Sequence, residues 1–363
     1  MNAVVQERLI SADSHANFTK QWVYERAPKS LHKPWDEAIA KYDKFAEEQR
    51  KGSPQLQRED FVDLEAVRDP GWSDPHARLK AMDRDGVEAE LIFPDFGSVL
   101  PAAAPVFMGD NWKLATTVYN DAMADFASVD RNRLLCAYQL PLYDIDFAVN
   151  EVQRLAKLGA RGMQVHPFPT EHGVPDYHDK RYTPLWSALE ETGIAALNHL
   201  ALKTSLQEIF HRDPTPQKGI YTSLPSMALA ETLAFWILTG TLERHPKLKV
   251  VLVEPGLGWL PWYLGILDGR MHQHYEFPGV ELLPSEYFKR QVRATFMYEP
   301  EGLALCYQKF GPDSLLWSTD FPHPATCWPH SQKQVKSQFA EAGIPEADRR
   351  KIVCENSAQA FNV

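Results

Sequence analysis

Residues 133–167 read RLLCAYQLPLYDIDFAVNEVQRLAKLGARGMQVHP. The stretch opens on an apolar, β-rich run (133–141) and passes through a helical segment from Asp146 to Leu158. It turns at Leu158-Gly159 and resumes as a second β-rich run (161–167). A strand, a helix and a strand in this order call for parallel strands joined by a crossover helix.

The pattern extends in both directions. Further β-rich runs lie at RLISADSH (8–15), VEAELIFPD (87–95), GIAALNHL (193–200), KVVLVEPG (249–256), VRATFMYEP (292–300) and SLLWSTDFPH (314–323). Between them the sequence predicts helices over Asn111 to Ala127, Thr183 to Glu191, Ser226 to Arg244 and Glu299 to Lys309, with Thr192-Gly193 as a further turn signal. Eight such units predict an α/β protein, a (β/α)8 TIM barrel. An open doubly wound sheet is the alternative, but no GxGxxG turn or Walker A sequence is present. One domain spans residues 1–363. Residues 20–75, with DEAIAKYDKFAEEQRK, Gly52-Ser53-Pro54 and Asp69-Pro70-Gly71, read as a helical, irregular insertion after strand 1 that covers the barrel mouth.

Composition narrows the function. The chain has 363 residues, 44% hydrophobic and 24% charged, which suffices for a sizeable core. Lys plus Arg number 38 against 48 Asp plus Glu, a net charge of −10, which argues against nucleic acid or an anionic membrane surface as partner. No run approaches the roughly 20 apolar residues of a membrane helix. The start MNAVVQERLISAD lacks the pattern of a secretion signal, so a cytoplasmic protein is expected. Cys136, Cys306, Cys327 and Cys354 lie far apart, as reduced, structural thiols do.

In a barrel of this kind the residues that finish the strands converge on one mouth. Here they are Asp13 and His15 on strand 1, His166 on strand 4, His199 on strand 5, Glu254 on strand 6 and Asp320 on strand 8. Asp13 and His15 stand two apart, so in a strand they point at a common object. Imidazoles and carboxylates together suit a divalent transition metal, zinc, iron or manganese, rather than calcium or magnesium. Alternatives stay open for some members: Asp320 as a helix N-cap, Glu254 as an acceptor that holds a ligand histidine, and His166 as a substrate-facing or buried, satisfied histidine. His323, three residues past Asp320, is close enough to the mouth to be considered with them.

DSH at strand 1, LNH at strand 5, KVVLVEPGLGWLPW at strand 6 and WSTDFPH at strand 8 together resemble the amidohydrolase superfamily. Within it they resemble the amidohydrolase-related branch that holds aminocarboxymuconate semialdehyde and resorcylate decarboxylases. The resemblance implies that Asp13, His15, His199 and Asp320 are ligands to a divalent metal, and it also implies a homodimer. The sequence departs from it on strand 6, where those decarboxylases carry a histidine as general acid or base and this chain has Glu254.

Two roles follow for Glu254: a carboxylate base toward metal-bound water, or a ligand that joins His166 and His199 in a second site. The two metals would then lie roughly 3.5 to 4 Å apart. The leading expectation is therefore metal-assisted hydrolysis of a small organic substrate, with Asp320 or Glu254 accepting the proton of water and one or two metals per chain. The alternatives are a non-haem diiron oxygenase and a metal-dependent decarboxylase or hydratase. For the substrate, Trp259, Trp262, Phe296, Tyr298 and Trp328 are candidates for aromatic walls, and Lys20, Arg78 or Arg293 for a partner to a carboxylate.

Overall fold

The computed structural model describes residues 7–50, 65–95, 99–201, 203–215, 218–273 and 276–363. Its eight strands are β1 (Ile10–Ala16), β2 (Ala89–Pro94), β3 (Leu134–Gln139), β4 (Gly162–Gln164), β5 (Ala195–His199), β6 (Val250–Val253), β7 (Val292–Phe296) and β8 (Leu315–Trp317). Seven fall within the β-rich runs and β1 overruns its own by one residue, Ala16. They form one sheet in chain order, every neighbouring pair parallel. A parallel bridge between Ser14 and Phe321 joins the last strand's extension to the first, and the His15 N–H donates to the Phe321 carbonyl at 2.7 Å. The architecture is a (β/α)8 barrel. Runs such as VVLV and AELIFP are buried at every position, as strands covered on both faces must be.

The helices follow from local chemistry. Asp144 caps the helix Ile145–Lys157 by accepting the Phe147 N–H at 2.9 Å. Gly193 ends the helix Thr183–Thr192 in the left-handed region, φ 67°, which glycine enters without steric cost. The helix expected from Ser226 to Arg244 is two: Pro225–Leu238 and the short Thr241–Arg244, broken where Gly240 takes φ 70°. A side chain at Gly240 would also meet the Gly279 carbonyl oxygen, so both conformation and space exclude one.

Within the insertion, the helix Lys29–Arg50 backs the loop that follows β2: its fully buried Trp35 donates from Nε1 to the Val99 carbonyl at 2.9 Å. Residues 51–64 lie outside the described ones. No described residue of the insertion lines the cavity at the mouth. Its walls come largely from the ends of β2 to β5 and the segments after them, and the insertion backs the segment after β2. None of the described helices is long and apolar enough to cross a membrane, and the four cysteines are free thiols.

Candidate metal centre

The strand ends bring six side chains together. Among the described residues, donor atoms within 4.8 Å of one another form three overlapping groups: Asp13, His15 and His199; His15, Asp320 and His323; Asp13, Glu254 and Asp320. His15 Nε2 lies 3.6 Å from Asp13 Oδ1 and 3.2 Å from Asp320 Oδ1. His199 Nε2 is 3.7 Å from both Asp13 Oδ1 and Glu254 Oε2. His323 stacks on His15, ring centroids 4.0 Å apart, and sets Nδ1 2.8 Å from Asp320 Oδ1 and Nε2 3.5 Å from Asp95 Oδ1. Asp13, His15, His199, Glu254 and Asp320 thus converge as expected, and His323 joins them. His166 belongs to none of the three groups. It lines the adjoining cavity instead, which removes it from the ligand set.

Backbone geometry places the two late carboxylates. Glu254, just past β6, and Asp320, three residues past β8, both take positive φ, 56° and 54°. Side-chain-bearing residues enter this region only at a steric cost that the surroundings must hold in place. The Glu254 N–H donates to Thr295 Oγ1 at 2.9 Å and the Asp320 N–H to the Asp13 carbonyl at 3.0 Å. The next helix starts only at Ser331, so Asp320 is no helix N-cap.

Burial and charge set the electrostatics. Desolvation works against the His199 imidazolium, but Asp13 and then Glu254 outweigh it and raise the ring to about 9. Burial, reinforced by His323, lowers His15. Asp320 is desolvated too, yet His323 and His15 hold it well below the usual carboxylate range. Burial raises Glu254, and the Asp320 and Asp13 carboxylates add to the rise against the pull of His199.

The cluster fits a cation on chemical grounds. Asp13 Oδ1 and Oδ2, both ring nitrogens of His15, His199 Nε2 and Asp320 Oδ1 are buried without a well-formed hydrogen bond. Each such orphan costs about 1–3 kcal/mol when nothing else meets it. The His199 Nδ1 is 2.9 Å from the Leu200 carbonyl, to which it donates, so Nε2 is the ring atom aimed at the cluster.

His15 and His199 also line a cavity of about 300 Å³. Its described aromatic lining is Trp112 and Tyr143; Trp259, Trp262, Phe296, Tyr298 and Trp328 do not line it. The cationic candidates are placed elsewhere as well. Arg78 is fully buried and pairs with Glu90 at 2.9 Å, Lys20 pairs with Asp36 on the surface, and Arg293 donates to the Val292 carbonyl. Sequence reasoning missed Trp112 and Tyr143, because a helix start and a loop after a strand carry no periodicity that marks them, and it missed Gln139 and Gln164, the last residues of β3 and β4, because only imidazoles and carboxylates were sought at the strand ends.

Known proteins resemble this chain in sequence and fold. Gamma-resorcylate decarboxylase of Rhizobium sp. (strain MTP-10005) is 27% identical over 307 residues, 79% of this chain and 86% of the relative. The 5-carboxyvanillate decarboxylase of Sphingomonas paucimobilis has the same fold at TM-score 0.68, with 21% identity over 98% of this chain and 99% of that one. A dihydroxybenzoic acid decarboxylase of Polaromonas sp. JS666, solved with manganese and the inhibitor 2-nitroresorcinol, matches at TM-score 0.65, with 20% identity over 98% and 97% of the chains. With residues 12–363 matching the amidohydrolase family's sequence profile, the chain belongs to the amidohydrolase family.

Proposed function

We propose that the chain is a metal-dependent lyase that removes carbon dioxide from a small aromatic carboxylate without oxidation. The observation that carries this reading is the opening of a largely apolar, aromatic-lined cavity directly onto His15 and His199 of the cluster. It is supported by relatives named for resorcylate and carboxyvanillate, and by manganese in the dihydroxybenzoic acid decarboxylase.

Asp13, His15, His199 and Asp320 would hold the ion. When bound, a divalent cation there supplies Lewis acidity toward substrate oxygens. In the metal-free chain burial and its carboxylate neighbours raise Glu254, which stands where the family resemblance leads one to expect an imidazole, and a bound cation would draw it back down. Its carboxyl can donate to the ring carbon: the carbon–carboxylate bond breaks, carbon dioxide leaves, the electron pair stays on the ring and takes the Glu254 proton. Solvent then reprotonates the glutamate. Hydrolysis, the leading expectation from sequence, asks Glu254 or Asp320 to accept a proton from water. The named relatives are decarboxylases, which favours proton donation to carbon over activation of water.

A second reading, an oxygenase on two irons, is favoured by one observation: Glu254 adds a third carboxylate, and the donors fall into three overlapping groups rather than one. Manganese-loaded protein given carboxyl-labelled 2,6-dihydroxybenzoate and related hydroxybenzoates is expected to release labelled carbon dioxide with no oxygen uptake. Oxygen consumption with two irons per chain and no labelled gas would establish the second reading instead.

A further inference from the structure

Next to His199 in the barrel, the ends of β3 and β4 carry a second polar group that the metal cluster does not use: Gln139, Gln164, His166 and His172, all lining the cavity. Its members are fixed by their neighbours. The Gln139 N–H donates to Asn120 Oδ1 at 2.9 Å and the Gln139 carbonyl accepts from Asn120 Nδ2 at 3.1 Å. Gln139 Nε2 in turn donates to Gln164 Oε1 at 2.6 Å. That contact uses the acceptor half of the Gln164 amide, and its N–H groups are what it has left to offer.

His166 is set in the same sense. Its Nδ1 accepts the Phe168 N–H at 3.1 Å, which places the ring proton on Nε2. Its carbonyl accepts from the Tyr177 hydroxyl, itself held by Asn198 Nδ2 at 2.9 Å. The His172 ring closes the other side, centroids 4.0 Å apart and nearly perpendicular. Burial, together with His172, lowers His166 to about 3, so the ring stays neutral. No lysine or arginine is among the described lining residues.

We propose that His166 Nε2–H and the Gln164 amide N–H are the specificity-determining donors for an uncharged oxygen substituent on the substrate, a ring hydroxyl, and that the same wall rejects a second carboxylate. Two neutral donors match one uncharged acceptor. A second carboxylate would lose its water in a mainly apolar cavity and meet no cation there, an uncompensated desolvation. This rests on the aromatic-acid reading and sharpens it: the ring carries one carboxylate, for the cluster, and a hydroxyl, for His166.

Calorimetric titration of the manganese-loaded protein with benzoate, 2-hydroxybenzoate, 2,6-dihydroxybenzoate and benzene-1,3-dicarboxylate tests it. The expected result is hydroxybenzoates bound about tenfold more tightly than benzoate, the range of one net hydrogen bond, with the dicarboxylate weakest. In His166→Phe, which keeps a ring but loses the donor, the hydroxyl preference should fall to about one, and in His166→Gln, which restores a donor, it should return in part. A preference that survives His166→Phe, a dicarboxylate bound as tightly as the hydroxybenzoates, or no binding by any of the four overturns the proposal. A hydroxyl preference without release of carbon dioxide would overturn the lyase reading and leave this one standing.

Discussion

Glu254 Oε2 lies 3.7 Å from His199 Nε2 on the neighbouring strand, closer than any role outside the centre would require. Glu254→Gln separates its two remaining roles, because glutamine keeps the size and one oxygen but has no proton to give. We expect the first equivalent of manganese, read by elemental analysis, to be retained while carbon dioxide release falls by about 10² or more, the usual loss when a general acid is removed. Loss of a metal equivalent in the variant would make Glu254 a ligand.

Metal affinity should depend on pH through His199. In the metal-free chain its ring is raised to about 9, so at neutral pH a metal must displace a proton from it. Affinity measured by competition with a chelator is expected to rise about tenfold per unit between pH 6 and 8 and to level off above 9, because one proton is released per ion bound. The stability linkage has the opposite sign. A raised histidine stabilises the folded apoprotein fully below its ordinary value near 6.5 and loses that contribution as pH rises through about 9. Thermal melts of stripped protein should therefore fall from pH 7 to pH 10, and melts of loaded protein should fall less.

Arg78 acts on the same site from behind. Its guanidinium pairs with Glu90, donates to the His15 carbonyl at 2.6 Å and to the Gly71 carbonyl at 3.2 Å, and lies over the Phe321 ring at 4.6 Å. It thus ties β1, which carries Asp13 and His15, and the segment after β8, which carries Asp320, to β2. Arg78→Met leaves Glu90 in the interior without its cationic partner, and unfolding by urea should show a loss of about 3–5 kcal/mol. Arg78→Met combined with Glu90→Leu is expected to recover much of that stability. Metal affinity should stay reduced in the double variant, because the His15 carbonyl still lacks its donor.

Much of this was legible in the sequence, for identifiable reasons. Strands buried on both faces leave unbroken apolar runs, so all eight were visible, and alternation within β1 placed Asp13 and His15 together although the β1–β2 register shifts between Ser11 and Ser14. Convergence of strand ends then supplied His199, Glu254 and Asp320. His166 obeyed the same rule and yet misled, because it stands two residues beyond β4, where the chain has already turned and the Phe168 N–H has taken its Nδ1. Arg78 could be read only as a free cation, since its partners Glu90, Gly71 and Phe321 lie on three separate segments. The same holds for Trp112 and Tyr143, which reach the cavity from the start of a helix and from a loop whose placement the barrel decides.

The left-handed backbone at Glu254 and Asp320 sets stability against function. Glycine at either position would relieve a conformational cost of about 1–3 kcal/mol. A variant library selected for heat resistance should therefore drift toward glycine at the two places where a library selected for metal retention forbids it. Any effort to harden this barrel has to seek its gains elsewhere, and the opposed enrichment at two positions would mark the centre without any substrate being known.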